Sequence, residues 1–437
     1  WAMKSPQEWS HWFKCLDDNN FPVTNIVDDA IEIRLGEKPV SFGSIEFLEE
    51  WKEMGRVIRR CKKLKRIIIQ NAQLNMTVLI AIFQSEGPYK FPLECLDFEH
   101  ARFGNAGLWA LLPFLKSRKT LKKLNLACNH LDNGASGMLA AVLDNTCVEE
   151  LNISRNSFSA RGVNRILSSK NSRHLITLDV FDSCSMSERF ELAEILGKFL
   201  GRGDISLKQL TFGCTRIDSR YVYGIDPDIM VIQSLRTNTT VENLVLPHLP
   251  CYHIRSISDK LTVAVTSLVC NTSSFEELCQ SNHTLRKVST ISANPDPRET
   301  NGAKEALEMN ARPGFSPNKK LRYKLKSIYF RGEFSVQPFL DMKIVWVPHL
   351  LELVSLPDDD DDNEAIRSVQ KESKICQGGN LNGVYHLIRF GNLPQLFTFS
   401  SPPNKFHTVM TQRFIEPIIF WIRNNGIDLF KPQRSIK

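Results

Sequence analysis

The sequence predicts an α/β solenoid, a chain that grows by stacking strand-turn-helix units rather than by filling one round core. Three observations point to it. A leucine-patterned stretch recurs at nearly constant spacing, apolar residues at helical spacing fill the intervals, and 437 residues exceed what one globular core usually supports.

The recurrence is direct. "LKRIIIQNAQL" starts at Leu64, "LECLDFEHARF" at Leu93, "LKKLNLACNHL" at Leu121 and "VEELNISRNSF" at Val148. "LITLDVFDSCSM" follows at Leu175, "LKQLTFGCTRI" at Leu207 and "VENLVLPHLPC" at Val241. The starts lie 29, 28, 27, 27, 32 and 34 residues apart. Within the template Leu-x-x-Leu-x-Leu-x-x-Asn-x-Leu, the fourth and sixth positions point inward from a short strand, as in Leu124 with Leu126, Leu151 with Ile153 and Leu178 with Val180. Asn129 and Asn156 stand where a side-chain amide bonds turn backbone. Each strand then needs a return path. Leu108, Leu111, Leu112 and Leu115 supply one, Leu139, Val142 and Leu143 the next, and Leu192, Ile195, Leu196 and Phe199 another.

These stretches resemble the leucine-rich repeat family, and a repeat of this length with a full helix is similar to the ribonuclease-inhibitor-like subtype. The polar lead-ins "SRKTL", "DNTCV", "TNTTV" and "SNHTL" resemble that subtype as well. The match spans Leu64 to Leu285. It implies a horseshoe with parallel strands on the concave side, helices on the convex side and helical caps at both ends. The sequence departs from the pattern where Ala101, Ser183, Thr215 and Leu249 occupy the asparagine slot.

Residues 1–63 are expected to form a helical cap and an edge strand, 64–290 the solenoid, and 291–437 degenerate repeats with a helical region. For the cap, Ser5, Pro6 and Glu8 form a helix-start signature before the stripe Trp9, Trp12, Phe13 and Leu16. "AIEIRL", from Ala30 to Leu35, is the candidate edge strand. "LRKVSTISA" from Leu285 and "LKSIYFRGEF" from Leu325 read as degenerate copies, with a short helix across Ala303 to Met309 between them. The acidic stretch 357–364 reads as a solvated loop, and "QRFIEPIIFWIRNN" as a terminal helix.

Composition excludes several function classes. The net charge of +7 arises from 55 basic and 48 acidic residues, too mixed to point to nucleic acid. No apolar run reaches the roughly 18 residues of a membrane span, and no secretory leader is read before Trp1, although the missing initiator Met allows an upstream segment. Eleven scattered cysteines without a Cys-x-x-Cys pair indicate reduced thiols and a cytoplasmic location. No cofactor, metal or catalytic motif is present, so the expectation is a non-enzyme. Arg202, Gly203 and Asp204 read as a turn, His248 and His253 as structural, and Asp358 to Asp362 lacks calcium-loop spacing. Sequons occur at Asn75, Asn152, Asn238, Asn271 and Asn282, but Asn152 lies within an expected strand, which argues against glycosylation.

What remains is a surface. In a horseshoe, the third, fifth, seventh and eighth template positions face outward from the sheet. They are Arg66, Ile68, Gln70 and Asn71, then Cys95, Asp97, Glu99 and His100, then Lys123, Asn125, Ala127 and Cys128. Glu150, Asn152, Ser154 and Arg155 follow, then Thr177, Asp179, Phe181 and Asp182. Asp97, Glu99, Glu150, Asp179 and Asp182 make the middle acidic. The expectation is a protein partner with a basic patch, contacted by these carboxylates with Phe181, His100 and Tyr329 as anchors. The resemblance implies a non-catalytic interaction scaffold. Its alternative is a GTPase-activating or other enzyme-regulatory role, which some members of this fold type perform and for which Arg155 and Arg216 are rim candidates. A third possibility, a sensor array cut from a larger receptor, has no nucleotide-binding module to support it.

Overall fold

The structure, a computed structural model, describes residues 30–34, 48–60, 63–84, 91–213, 226–247, 255–271, 273–290 and 301–329. Nine strands form one sheet in chain order: β1 Ala30–Arg34, β2 Arg66–Gln70, β3 Cys95–Asp97, β4 Lys123–Asn125, β5 Glu150–Asn152, β6 Thr177–Asp179, β7 Gln209–Thr211, β8 Asn243–Leu246 and β9 Lys287–Thr290. Every neighbouring pair is parallel. Helices alternate with them: α1 Leu48–Arg60, α2 Met76–Phe83, α3 Gly104–Lys116, α4 Asn133–Asn145, α5 Ala160–Leu167, α6 Arg189–Leu200, α7 Asp226–Ser234 and α8 Arg255–Val269. The chain is thus a repeating strand-helix arrangement, compatible with a solenoid.

The aliphatic template sets the register. Ile67, Leu96, Leu124, Leu151, Leu178, Leu210 and Leu244 pair in unbroken succession on adjacent strands, and each is at most 1% exposed. A second column, Ile69, Phe98, Leu126, Ile153, Val180, Phe212 and Leu246, is equally buried. A slip of one residue would turn both columns to the other face, so the pattern fixes the pairing. Beyond each strand the ladder continues through backbone bonds, as in Phe98 N–H to Asn125 O at 2.9 Å and Leu126 N–H to Asn152 O at 2.8 Å.

Helix starts obey the capping rules. Asn75, Asp132 and Ser159 cap α2, α4 and α5 by accepting from Val78, Gly134 and Gly162 N–H groups. The faces turned inward carry Leu108, Leu111 and Leu115, then Leu139, Val142 and Leu143, then Leu192, Leu196 and Phe199, all buried. Leu112 and Ile195 of the expected stripes are only half-buried. Gly55 lets α1 approach α2 closely, because a Cβ there would lie 2.6 Å from the Ile82 carbonyl oxygen.

The asparagine slot behaves as expected where asparagine is present. Asn129, fully buried, donates from Nδ2 to Phe98 O at 2.6 Å and Ala127 O at 3.1 Å. Asn156 donates to Leu126 O and Ile153 O and accepts from the Asn129 and Leu131 N–H groups. In the neighbouring coils Ala101 and Ser183 fill the slot, both buried.

The chain divides into two compact units. The first holds the sheet and its helices, within Trp1–Leu268 and Thr284–Asn301. The second comprises Val269–His283 and Gly302–Lys437, and its described elements are α9 Phe275–Cys279, α10 Asn301–Ala311 and α11 Pro317–Tyr329. The expected boundary near residue 290 is therefore crossed by 269–283, which lengthens the gap before the strand at Leu285. That strand forms as β9, and the expected helix at Ala303 to Met309 forms within α10. The copy at Leu325 is corrected over its described residues: Leu325–Tyr329 belong to α11, because Ser316 and Pro317 start a helix, with Ser316 Oγ accepting from Lys319 N–H at 3.2 Å.

Residues 202–204 lie in the turn between α6 and β7, as expected, with the Arg202 guanidinium 5.3 Å from the Phe199 ring. Asn238 and Asn282 are 5% and 3% exposed, which leaves no room for a sugar at either. The cap at 5–16, Thr215, Arg216, His248, Leu249, His253 and everything after 329 lie outside the described residues. No helix among the described residues is long and apolar enough to cross a membrane.

Candidate functional site

Alternation along each short strand sends the third and fifth template positions to the face opposite the aliphatic columns. The seventh and eighth continue that surface past the strand end. A backbone device fixes the eighth: Asn71, His100, Cys128, Arg155 and Asp182 all have left-handed φ between 53° and 58°. Their N–H groups bond the seventh-position carbonyl of the next coil, as in His100 to Ala127 at 3.0 Å and Arg155 to Phe181 at 2.8 Å. Asparagine, aspartate and histidine accept this conformation more readily than most residues.

The fifth position closes the turn. Asp97, Asn125, Asn152 and Asp179 occupy one row across β3 to β6. In each, a side-chain oxygen accepts from the backbone N–H two residues on, at 3.1, 3.1, 2.9 and 2.9 Å. Asp97 uses its second oxygen as well, accepting from Gln70 Nε2 at 3.1 Å, and is 8% exposed. Both aspartates therefore hold backbone before they hold anything else.

The remaining predicted residues sit around this row. Glu99, His100, Asp179 and Asp182 are half-buried, and Glu150 is exposed. Glu99 Oε2 accepts weakly from Asn125 Nδ2 at 3.4 Å. Glu150 lies 3.3 Å from Lys123 Nζ, with both side chains about half exposed. Phe181 is 9% exposed, and the Arg155 guanidinium lies 5.8 Å from its ring centroid. Phe181 is thus buried, with Arg155 beside its ring. Tyr329, the other aromatic expected to serve, belongs to α11 and not to this sheet.

Electrostatics tie these groups together. Burial pushes the Asp179 carboxyl up to about 6, against the Phe181 N–H and the Arg155 charge, while Glu99 adds to the rise. Burial also raises the Cys128 thiol, which Arg155 opposes by charge and by hydrogen bond, and Glu99 and Asp182 reinforce. Arg155 therefore acts on both Asp179 and Cys128. On the outward positions of β2 to β6 and their turns, five carboxylates face three cations, Arg66, Lys123 and Arg155.

Among the described residues, no group of three or more His, Cys, Asp or Glu side chains has metal-holding geometry. Cys95, Cys128, Cys147 and Cys279 are free thiols. Sequence reasoning missed a second polar cluster, Lys320, Lys324, His283, Asn282 and Asn310 in the second unit. The only signal was the four-residue spacing of two lysines, which usually marks a solvated helix face. No family model matches the chain, and no curated protein matches it.

Proposed function

We propose that the chain is a leucine-rich repeat horseshoe of the ribonuclease-inhibitor-like kind. In this reading it is a non-catalytic scaffold whose strand face docks a protein partner carrying a lysine- or arginine-rich patch. One observation carries the reading: Asp97, Glu99, Glu150, Asp179 and Asp182 come from three of the four adjacent in-register strands β3 to β6 and their turns, opposite the buried aliphatic columns. A row of short parallel strands offers a rigid surface, so little ordering entropy opposes docking. The reading requires no cofactor. No observation favours the GTPase-activating alternative, since Arg155 rests over Phe181 and Arg216 lies outside the described residues.

Glu99 and Glu150 are the residues to test, because neither holds turn backbone. Titrating a fluorescent lysine- and arginine-rich peptide into the wild type and into Glu99→Gln with Glu150→Gln separates the outcomes. Weaker binding with a shallower salt dependence supports the reading. Equal affinity and equal salt dependence would remove the acidic face from the account.

A further inference from the structure

The second unit contains a cluster of basic and amide side chains built around the buried Lys324. Helix α11 presents Lys320 and Lys324, one turn apart and 8% and 1% exposed. Both reach backbone. Lys324 Nζ donates to Val269 O at 2.7 Å and to Asn282 O at 3.2 Å, and lies 3.0 Å from His283 Nδ1. Lys320 Nζ donates to His283 O at 3.0 Å, and Asn310 of α10 adds a bond from Nδ2 to Asn282 O at 3.1 Å. Val269 opens the 269–283 segment and Asn282 and His283 end it, so one amine clasps both ends of that segment.

The proton count at this amine is adjustable. As an ammonium, Lys324 has three N–H bonds, matched by two carbonyls and by the Nδ1 lone pair of an imidazole protonated at Nε2. As a neutral amine it keeps two N–H bonds for the carbonyls, and its lone pair accepts from His283 if that ring moves its proton to Nδ1. A tautomer change thus keeps every bond at the amine in both states. The ring also meets the Cys279 backbone, whose hydrogen bond favours the protonated imidazole and so bears on where the proton sits.

We propose that Lys324 and His283 form a one-proton switch that closes the 269–283 segment onto α11, making the cohesion of this unit pH-dependent near neutrality. The groups facing the pair set its direction. Burial lowers Lys324 to about 7, Cys270 favouring its charge and Lys320 opposing it. Burial and then Lys324 lower His283 to about 3, with the Cys279 backbone opposing the fall and Lys320 adding to it. Both folded values lie below the ordinary ones. The unfolded chain therefore binds more protons between about 7 and 10.5, and again between about 3 and 6.5. The stabilising contribution of Lys324 is complete above 10.5 and is lost as pH falls through 7.

Hydrogen exchange on the full chain, corrected for intrinsic rates, reads the switch in α11 and in residues 269–283. Protection in the wild type should rise up to about tenfold per pH unit between 7 and 9, the slope of one proton. Lys324→Met should flatten that slope. A wild type without the slope, or a variant that retains it, overturns the proposal. If Lys324→Met does not fold, the wild type decides alone through NMR titration of the Lys324 ε-carbon. A midpoint near 7 with a concurrent His283 tautomer shift supports the switch, and a midpoint near 10.5 refutes it.

Discussion

Asp179 performs with a charged carboxylate the turn closure that Asn125 and Asn152 perform with a neutral amide. Its carboxyl is raised from 3.8 to about 6, so the folded form holds the proton more tightly than the unfolded chain. The stability it contributes is complete below 3.8 and is lost as pH rises through 6. Asp179→Asn keeps the bond to the Phe181 N–H and removes the buried charge. Chemical denaturation at pH 7 should show this variant more stable by on the order of 1 kcal/mol, with the gain vanishing near pH 4. An alanine at Asp97 or Asp179 would open the turn and confuse folding with binding, which is why Glu99 and Glu150 make cleaner probes. The buried pair Arg189 and Asp228 behaves differently. The two lie 2.8 Å apart and are 4% and 1% exposed. Asp228→Ala leaves a guanidinium interred against Phe212 without its carboxylate, and denaturation should show a loss of about 3–5 kcal/mol. Sequence alone exposed the acidic composition of the outward positions, because alternation requires only residue order. It could not reveal that Asp97 and Asp179 grip their own turns, nor that Arg155 lies beside Phe181, because those are side-chain rotamers, which residue order does not specify.

Within an element, alternation makes adjacent residues unequal. Leu124 and Lys123 share β4, yet one is 1% exposed and the other projects to solvent beside Glu150. Leu124→Ala should cost about 2–5 kcal/mol through lost burial and a cavity, whereas Lys123→Ala should change stability by about 1 kcal/mol at most. Equal effects in urea melts would mean the strand does not present opposite faces. The strands from Leu64 to Val241, and the helices between them, were legible because both periods are written in the leucines. The region around Leu325 was not. Its spacing imitates the strand template, but Ser316 and Pro317 begin a helix upstream and α11 takes up the copy's first residues, Leu325–Tyr329. A start signal ahead of the pattern outweighed the pattern itself.

At the scale of the whole molecule, each coil of the first unit gains its core only by contact with the coils beside it. The seven-residue ladder from Ile67 to Leu244 expresses that dependence. The first unit followed from repeat spacing, since a period near 28 fixes one pairing. The second unit has no period, so neither the inclusion of 269–283 nor its buried lysines could be read from residue order. The acidic strand face is the part of the account on which function rests, and carboxyl footprinting of the full chain tests it most directly. With a lysine- and arginine-rich peptide bound, carbodiimide labelling should fall at Glu99, Glu150 and Asp182 and stay unchanged at Glu191 and Glu194 of α6. Protection confined to the α6 glutamates, or protection at none of the five, would contradict the account.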